Sequence, residues 1–116
     1  MKIIRLKDVS VEERKGYSIK RLFTEFLSCN PENVGFYETT VPKGSVCKHH
    51  YHEKLDEIII FLTKAKMRVE KEIYNFESGD IVILKPLDKH EFIAEDNEVK
   101  IIAVKLPNIT NDKVEC

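Results

Sequence analysis

Apolar residues along this chain come in short bursts that alternate with polar ones, and turn residues separate the bursts. The segment 34–41 is rich in aromatic and β-branched residues and reads as a strand. The run from Glu57 to Thr63 is β-branched and too short for a typical helix. Residues 66–71, 73–76, 81–84, 90–94 and 99–106 continue the series, and Pro107 ends the last of them. Residues 2–7 alternate weakly and suit an edge strand, and Tyr17 to Phe23 reads as another. Asn30-Pro31, Pro42-Lys43-Gly44, Ser78-Gly79-Asp80 and Asp96-Asn97 supply turn chemistry between the segments. One helical turn is expected where Ser10 and Glu13 have capping-box spacing, ended by Gly16. The polar last nine residues are expected to fray. Eight to ten short strands and no long amphipathic helix predict an all-β antiparallel sandwich or barrel.

Size and charge narrow the picture. A chain of 116 residues with 42% hydrophobic residues makes one folded domain, read here as residues 1–116. The formal net charge is −1 and the lysines are dispersed, so neither nucleic acid nor an anionic membrane is an expected partner. No apolar run approaches the roughly 20 residues that span a bilayer. The three cysteines, Cys29, Cys47 and Cys116, are scattered, which argues against a disulfide framework and for a cytoplasmic location.

The chemistry gathers around one stretch. Three of the four histidines, His49, His50 and His52, stand together after Gly44, and Glu57 opens the apolar run that follows. In a strand, His50 and His52 share a face. Two imidazoles and a carboxylate suit a first-row transition metal. Strand parity turns His49 and Cys47 to the opposite face, and it opposes Asp56 to Glu57. The fourth histidine, His90, lies in a second segment, Gly79 to His90, with Pro86 between.

These two segments resemble the paired motifs of the cupin family. The first reads glycine, five residues, His-x-His, three or four residues, Glu; here it is Gly44, His50-Tyr51-His52 and Glu57. The second runs from glycine through Pro to His; here it is Gly79, Pro86 and His90. The closing glycine of the first motif is replaced by Lys64, and Asp88 stands near the place of a turn glycine in the second. The resemblance covers roughly residues 34–106. It implies a double-stranded β-helix, the jelly-roll barrel, holding one divalent transition metal (iron, manganese, zinc or nickel) on His50, His52, Glu57 and His90.

Alternation nominates cavity walls: Ile59 and Phe61 in phase with Glu57, Phe92 and Asp88 with His90, and Lys48 with His50. On the segment 34–41, Tyr37, Thr39 and Val41 form the face read as interior, which makes Tyr37 a hydrogen-bond donor near the site. Tyr37, Lys48, Ile59, Phe61 and Phe92 are thus the expected substrate contacts. The expected activity is that of a metal-dependent dioxygenase, isomerase or lyase acting on a small organic molecule. The alternative is a non-catalytic module that binds or senses a small ligand. Small cupins commonly pair across a two-fold axis, so a homodimer is expected, with residues 2–7 in the interface.

Overall fold

The computed structural model describes the backbone of residues 1–116 and every side chain except that of Val46. Twelve strands form: β1 (Lys2–Ile4), β2 (Val11–Arg14), β3 (Tyr17–Lys20), β4 (Gly35–Val41), β5 (Val46–His52), β6 (Asp56–Phe61), β7 (Ala65–Val69), β8 (Glu72–Phe76), β9 (Ile81–Leu84), β10 (His90–Ile93), β11 (Val99–Leu106) and β12 (Lys113–Glu115). Every pairing is antiparallel. One five-stranded sheet has the order β1-β9-β6-β11-β4, and a second has the order β12-β5-β10-β7-β8. From β4 to β12 the chain crosses between the sheets at every step but the β7–β8 hairpin. That alternation is the double-stranded β-helix expected from the two motifs. Among the described residues, no helix is long and apolar enough to cross a membrane.

The period of two explains why the sheets close on each other. In β6, Ile59 and Phe61 are fully buried; in β7, Ala65, Met67 and Val69 are buried while Lys66 and Arg68 are only half-buried. Both sheets contribute to one core, in which Phe61 stacks on Phe76 with ring centroids 4.3 Å apart. Burying an aromatic side chain of this size stabilises by roughly 1.5–3 kcal/mol. The barrel core is thus built of apolar side chains that do not include the histidines, although Phe92 packs beside His90.

Three local expectations fail. The capping-box spacing at Ser10 and Glu13 does not make a helical turn. Val11–Arg14 instead pairs with Tyr17–Lys20 as a hairpin, turned by Gly16 at a φ of +87°. The segment has no apolar stripe to bury as a helix, whereas the hairpin satisfies its backbone locally. A short 3-10 turn lies earlier, at Leu6–Asp8. The third strand stops at Lys20 rather than Phe23. The C-terminal tail is not frayed at residues 113–115, which pair with β5 and cover that sheet's edge. Asp112 anchors it: its buried carboxylate accepts the Lys54 and Leu55 amides at 2.9 and 3.1 Å. Hydrogen bonding thus holds a segment too polar to be held by burial.

Turn geometry follows the motif glycines in part. Gly79 sits at a φ of +91°, and a Cβ there would run into the Leu6 side chain. In the turn before His90 the left-handed residue is Leu87, at a φ of +75°, not the neighbouring Asp88. Leu87 donates its amide to the His52 carbonyl at 2.7 Å, which ties this turn to the end of β5.

Candidate metal centre

β5 and β10 lie side by side, and the pairing sets His50 directly opposite His90. One more pair along, β5 carries an extra residue: Phe92 faces Cys47, so two residues of β5 oppose one of β10. This is a β-bulge, which shifts the face of every residue beyond it. His50 and His52 keep their common face. Cys47, expected to point away, instead lines the cavity beside them, and Lys48, expected at its mouth, is exposed outside it. Parity counting fails here because a bulge adds one residue to the count.

The three imidazoles of His50, His52 and His90 are buried, and one nitrogen of each lies within 4.8 Å of the others. Ring centroids are 4.3 Å apart for His50 and His90, and 5.4 Å apart for His50 and His52. Glu57 enters from the facing sheet. Its Oε1 is 3.2 Å from His90 Nε2 and 3.6 Å from His52 Nε2. Asp56, the competing acid, points the other way, where its carboxylate accepts the amide and hydroxyl of Ser28, both at 2.6 Å. His49 also faces away; its carbonyl accepts the Cys116 amide at 3.0 Å.

The tautomers follow from the hydrogen bonds. His50 Nδ1 is 2.7 Å from the Lys48 carbonyl, and His90 Nδ1 is 2.9 Å from the Asp88 carbonyl. A carbonyl can only accept, so each Nδ1 carries the proton. Main-chain acceptors of this kind fix both ring orientation and the nitrogen left free for a metal. The Nε2 atoms of His52 and His90 are buried without a hydrogen-bond partner. Orphaned buried nitrogens are costly unless something compensates.

The electrostatics agree. Burial, then the positive field of His90, pulls the His50 pKa down to about 4, which favours the neutral ring a metal needs. Burial pushes the Glu57 carboxyl up, but the nearby His52 and His90 rings outweigh it and hold the group well below the usual carboxylate range. With Nδ1 of His90 donating to Asp88, its Nε2 and the Glu57 Oε1 are two acceptors 3.2 Å apart, an arrangement that a cation between them would satisfy. Three convergent buried nitrogens, with the Glu57 carboxylate beside two of them, fit a divalent transition metal.

A cavity of about 210 Å³ opens onto His50, His52 and Glu57. Phe92, Ile101, Ala103 and Cys47 give it apolar walls, while Tyr37, Glu38, Thr39, Lys105 and Lys113 complete its lining. Of the five expected substrate contacts, Tyr37 and Phe92 line this cavity. Ile59 and Phe61 point inward as expected but are packed into the closed core, and Lys48 lies outside. The Tyr37 hydroxyl donates to Asn108 Oδ1 at 2.6 Å rather than to a histidine. Asp88, nominated with Phe92, does not enter: its carboxylate accepts the Lys85 amide at 2.9 Å and pairs with the terminal amine at 3.1 Å. Lys105 and Lys113 were not nominated. Lys105 was legible, since it is in phase with Ile101 and Ala103; Lys113 lies on the strand whose pairing the sequence does not signal.

The sequence matches no known protein-family model and no curated protein. Solved structures are similar to it in fold. An uncharacterized double-stranded β-helix protein of Klebsiella pneumoniae aligns with a TM-score of 0.66 at 14% identity, over 78% of this chain and 80% of that one. A cupin-like protein of Thermotoga maritima aligns with a TM-score of 0.64 at 21% identity, over 72% of this chain and 65% of the other. The oxalate decarboxylase of Bacillus subtilis, a protein with Mn(II) centres, aligns with a TM-score of 0.63 at 18% identity. That match covers 72% of this chain and 24% of the decarboxylase. At these identities the likeness establishes the double-stranded β-helix fold.

Proposed function

We propose that the chain is a metal-dependent enzyme that binds one divalent transition ion through His50, His52, Glu57 and His90 and acts on a small organic molecule held in the adjoining cavity. One observation carries this reading: three buried imidazoles converge, two of them held by Nδ1 bonds to main-chain carbonyls, and the buried Glu57 carboxylate stands 3.2 Å from His90 Nε2 and 3.6 Å from His52 Nε2. The bound ion would supply Lewis acidity or oxygen activation. The chain's own part is to keep His50 neutral, to orient the rings, to exclude water with Phe92, Ile101 and Ala103, and to bring a substrate beside them. The volume suits a molecule of about seven water equivalents, at roughly 30 Å³ each. The resemblance of the motifs and the Mn(II) content of a structural neighbour support a metal of the iron, manganese, zinc or nickel group.

The test is elemental analysis of the purified chain, followed by turnover assays with each metal. His52→Ala and His90→Ala are expected to lose most of the bound metal while remaining folded, because the core is built from apolar side chains that both variants keep. His49→Ala is expected to keep it, since that ring faces away. Full metal in both of the first two variants would refute the assignment. Stoichiometric ligand binding without turnover by any loaded form would make the chain a binding module instead.

A further inference from the structure

The mouth of the cavity is built with charge that the metal site does not use. Lys105 on β11 stands directly across from Glu57 on β6, and Lys113 on β12 stands directly across from His52 on β5. Residues directly opposite in an antiparallel pair project to the same side of the sheet. Each lysine therefore flanks one of the proposed ligands, one from each sheet, and both line the cavity. Among the described residues neither makes an ion pair, unlike Lys2, Lys66 and Lys85. Lys105 Nζ instead lies 5.1 Å from the centre of the Tyr37 ring, which holds it at the rim. Glu38 contributes one negative charge to the same lining and Glu115, directly across from His50, lies outside it, so beyond Glu57 the two lysines leave the lining net positive. A divalent ion beside the single negative charge of Glu57 would add to that sign.

From this arrangement, and resting on the metal reading above, we infer that the site selects a small carboxylate anion, with Lys105 and Lys113 as its specificity-determining cations. The carboxylate lies toward the two ammonium groups and the ion. The remainder of the molecule faces Phe92, Ile101, Ala103 and Cys47, which a purely polar anion would leave unserved.

The experiment loads the full chain with cobalt(II) and titrates it calorimetrically with pyruvate and with pyruvamide, its uncharged counterpart. Wild type is expected to bind pyruvate more tightly than pyruvamide. Lys105→Met and Lys113→Met are each expected to weaken pyruvate several-fold, and the double variant by about tenfold or more, as for loss of hydrogen bonds to a charged group. Pyruvamide binding and cobalt content are expected to stay within about twofold of wild type, against a background of roughly 0.5 kcal/mol for surface substitutions. Pyruvate binding unchanged in the double variant, or no tighter than pyruvamide in wild type, overturns the inference while leaving the metal reading intact. A wild-type chain that takes up no cobalt overturns the metal reading, and the inference with it.

Discussion

Acid should destabilise the metal-free protein through His50. Burial, then the charge of His90, lowers this imidazole from its ordinary value of 6.5 to about 4. The unfolded chain therefore binds a proton at His50 at a higher pH than the folded chain does. Stability rises with pH wherever the unfolded state holds more protons, so it must fall as pH drops below 6.5, until the folded ring also protonates near 4. Each pKa unit corresponds to about 1.4 kcal/mol, so lowering the pH from 7 to 4.5 removes about 2 kcal/mol. With a urea dependence of about 2 kcal/mol per molar, the unfolding midpoint should shift down by about 1 M. The assay is urea denaturation in the presence of a chelator at both pH values, for wild type and for His50→Gln. Glutamine does not titrate, so the variant should lose the His50 share of the pH slope and keep the background from other groups. The Glu57 carboxyl, held low, adds its own loss only below the ordinary carboxylate value of 4.5, so the chosen window avoids it. If wild type and His50→Gln show the same dependence between pH 7 and 4.5, the assignment of a buried neutral imidazole is wrong. With metal present the loss should steepen, because protons then compete with the ion for the ring.

Asp112→Ala should cost about 1–3 kcal/mol, because it strands the buried amide of Leu55, and loses the half-buried one of Lys54, that the carboxylate now accepts. The same variant should speed amide exchange at Tyr51, which pairs with the tail, and at Glu53, whose amide donates to the Asp112 carbonyl; unchanged exchange there would refute the role given to Asp112. For assembly we propose a two-fold dimer with β1 in its interface, on the ground that β1 forms an outer edge of its sheet. Light scattering during size exclusion should then give twice the 13.5 kDa chain mass. A single-chain mass refutes the dimer, and a dimer unchanged by deleting residues 1–7 refutes the part given to β1.

What the sequence alone determined was whatever depends on local alternation. Strands such as β6, β7 and β10 follow the period of two, and β11 coincides with the predicted run from Val99 to its stop before Pro107. The same parity turns Glu57 toward the histidines and Asp56 toward Ser28. The histidine cluster was legible because its spacing survives in an extended chain. Tertiary structure decided the rest, wherever a residue's environment is set by a partner distant in sequence. The bulge in β5 exists only in its pairing with β10, and it exchanges Lys48 for Cys47 in the cavity. The tail becomes a strand because Asp112 finds amides 57 and 58 positions away. Ile59 and Phe61 have the correct parity, but depth along the barrel assigns them to the core rather than the cavity. A period of two fixes which face a side chain takes; it carries no information about how far along that face the cavity extends, or which strand lies opposite.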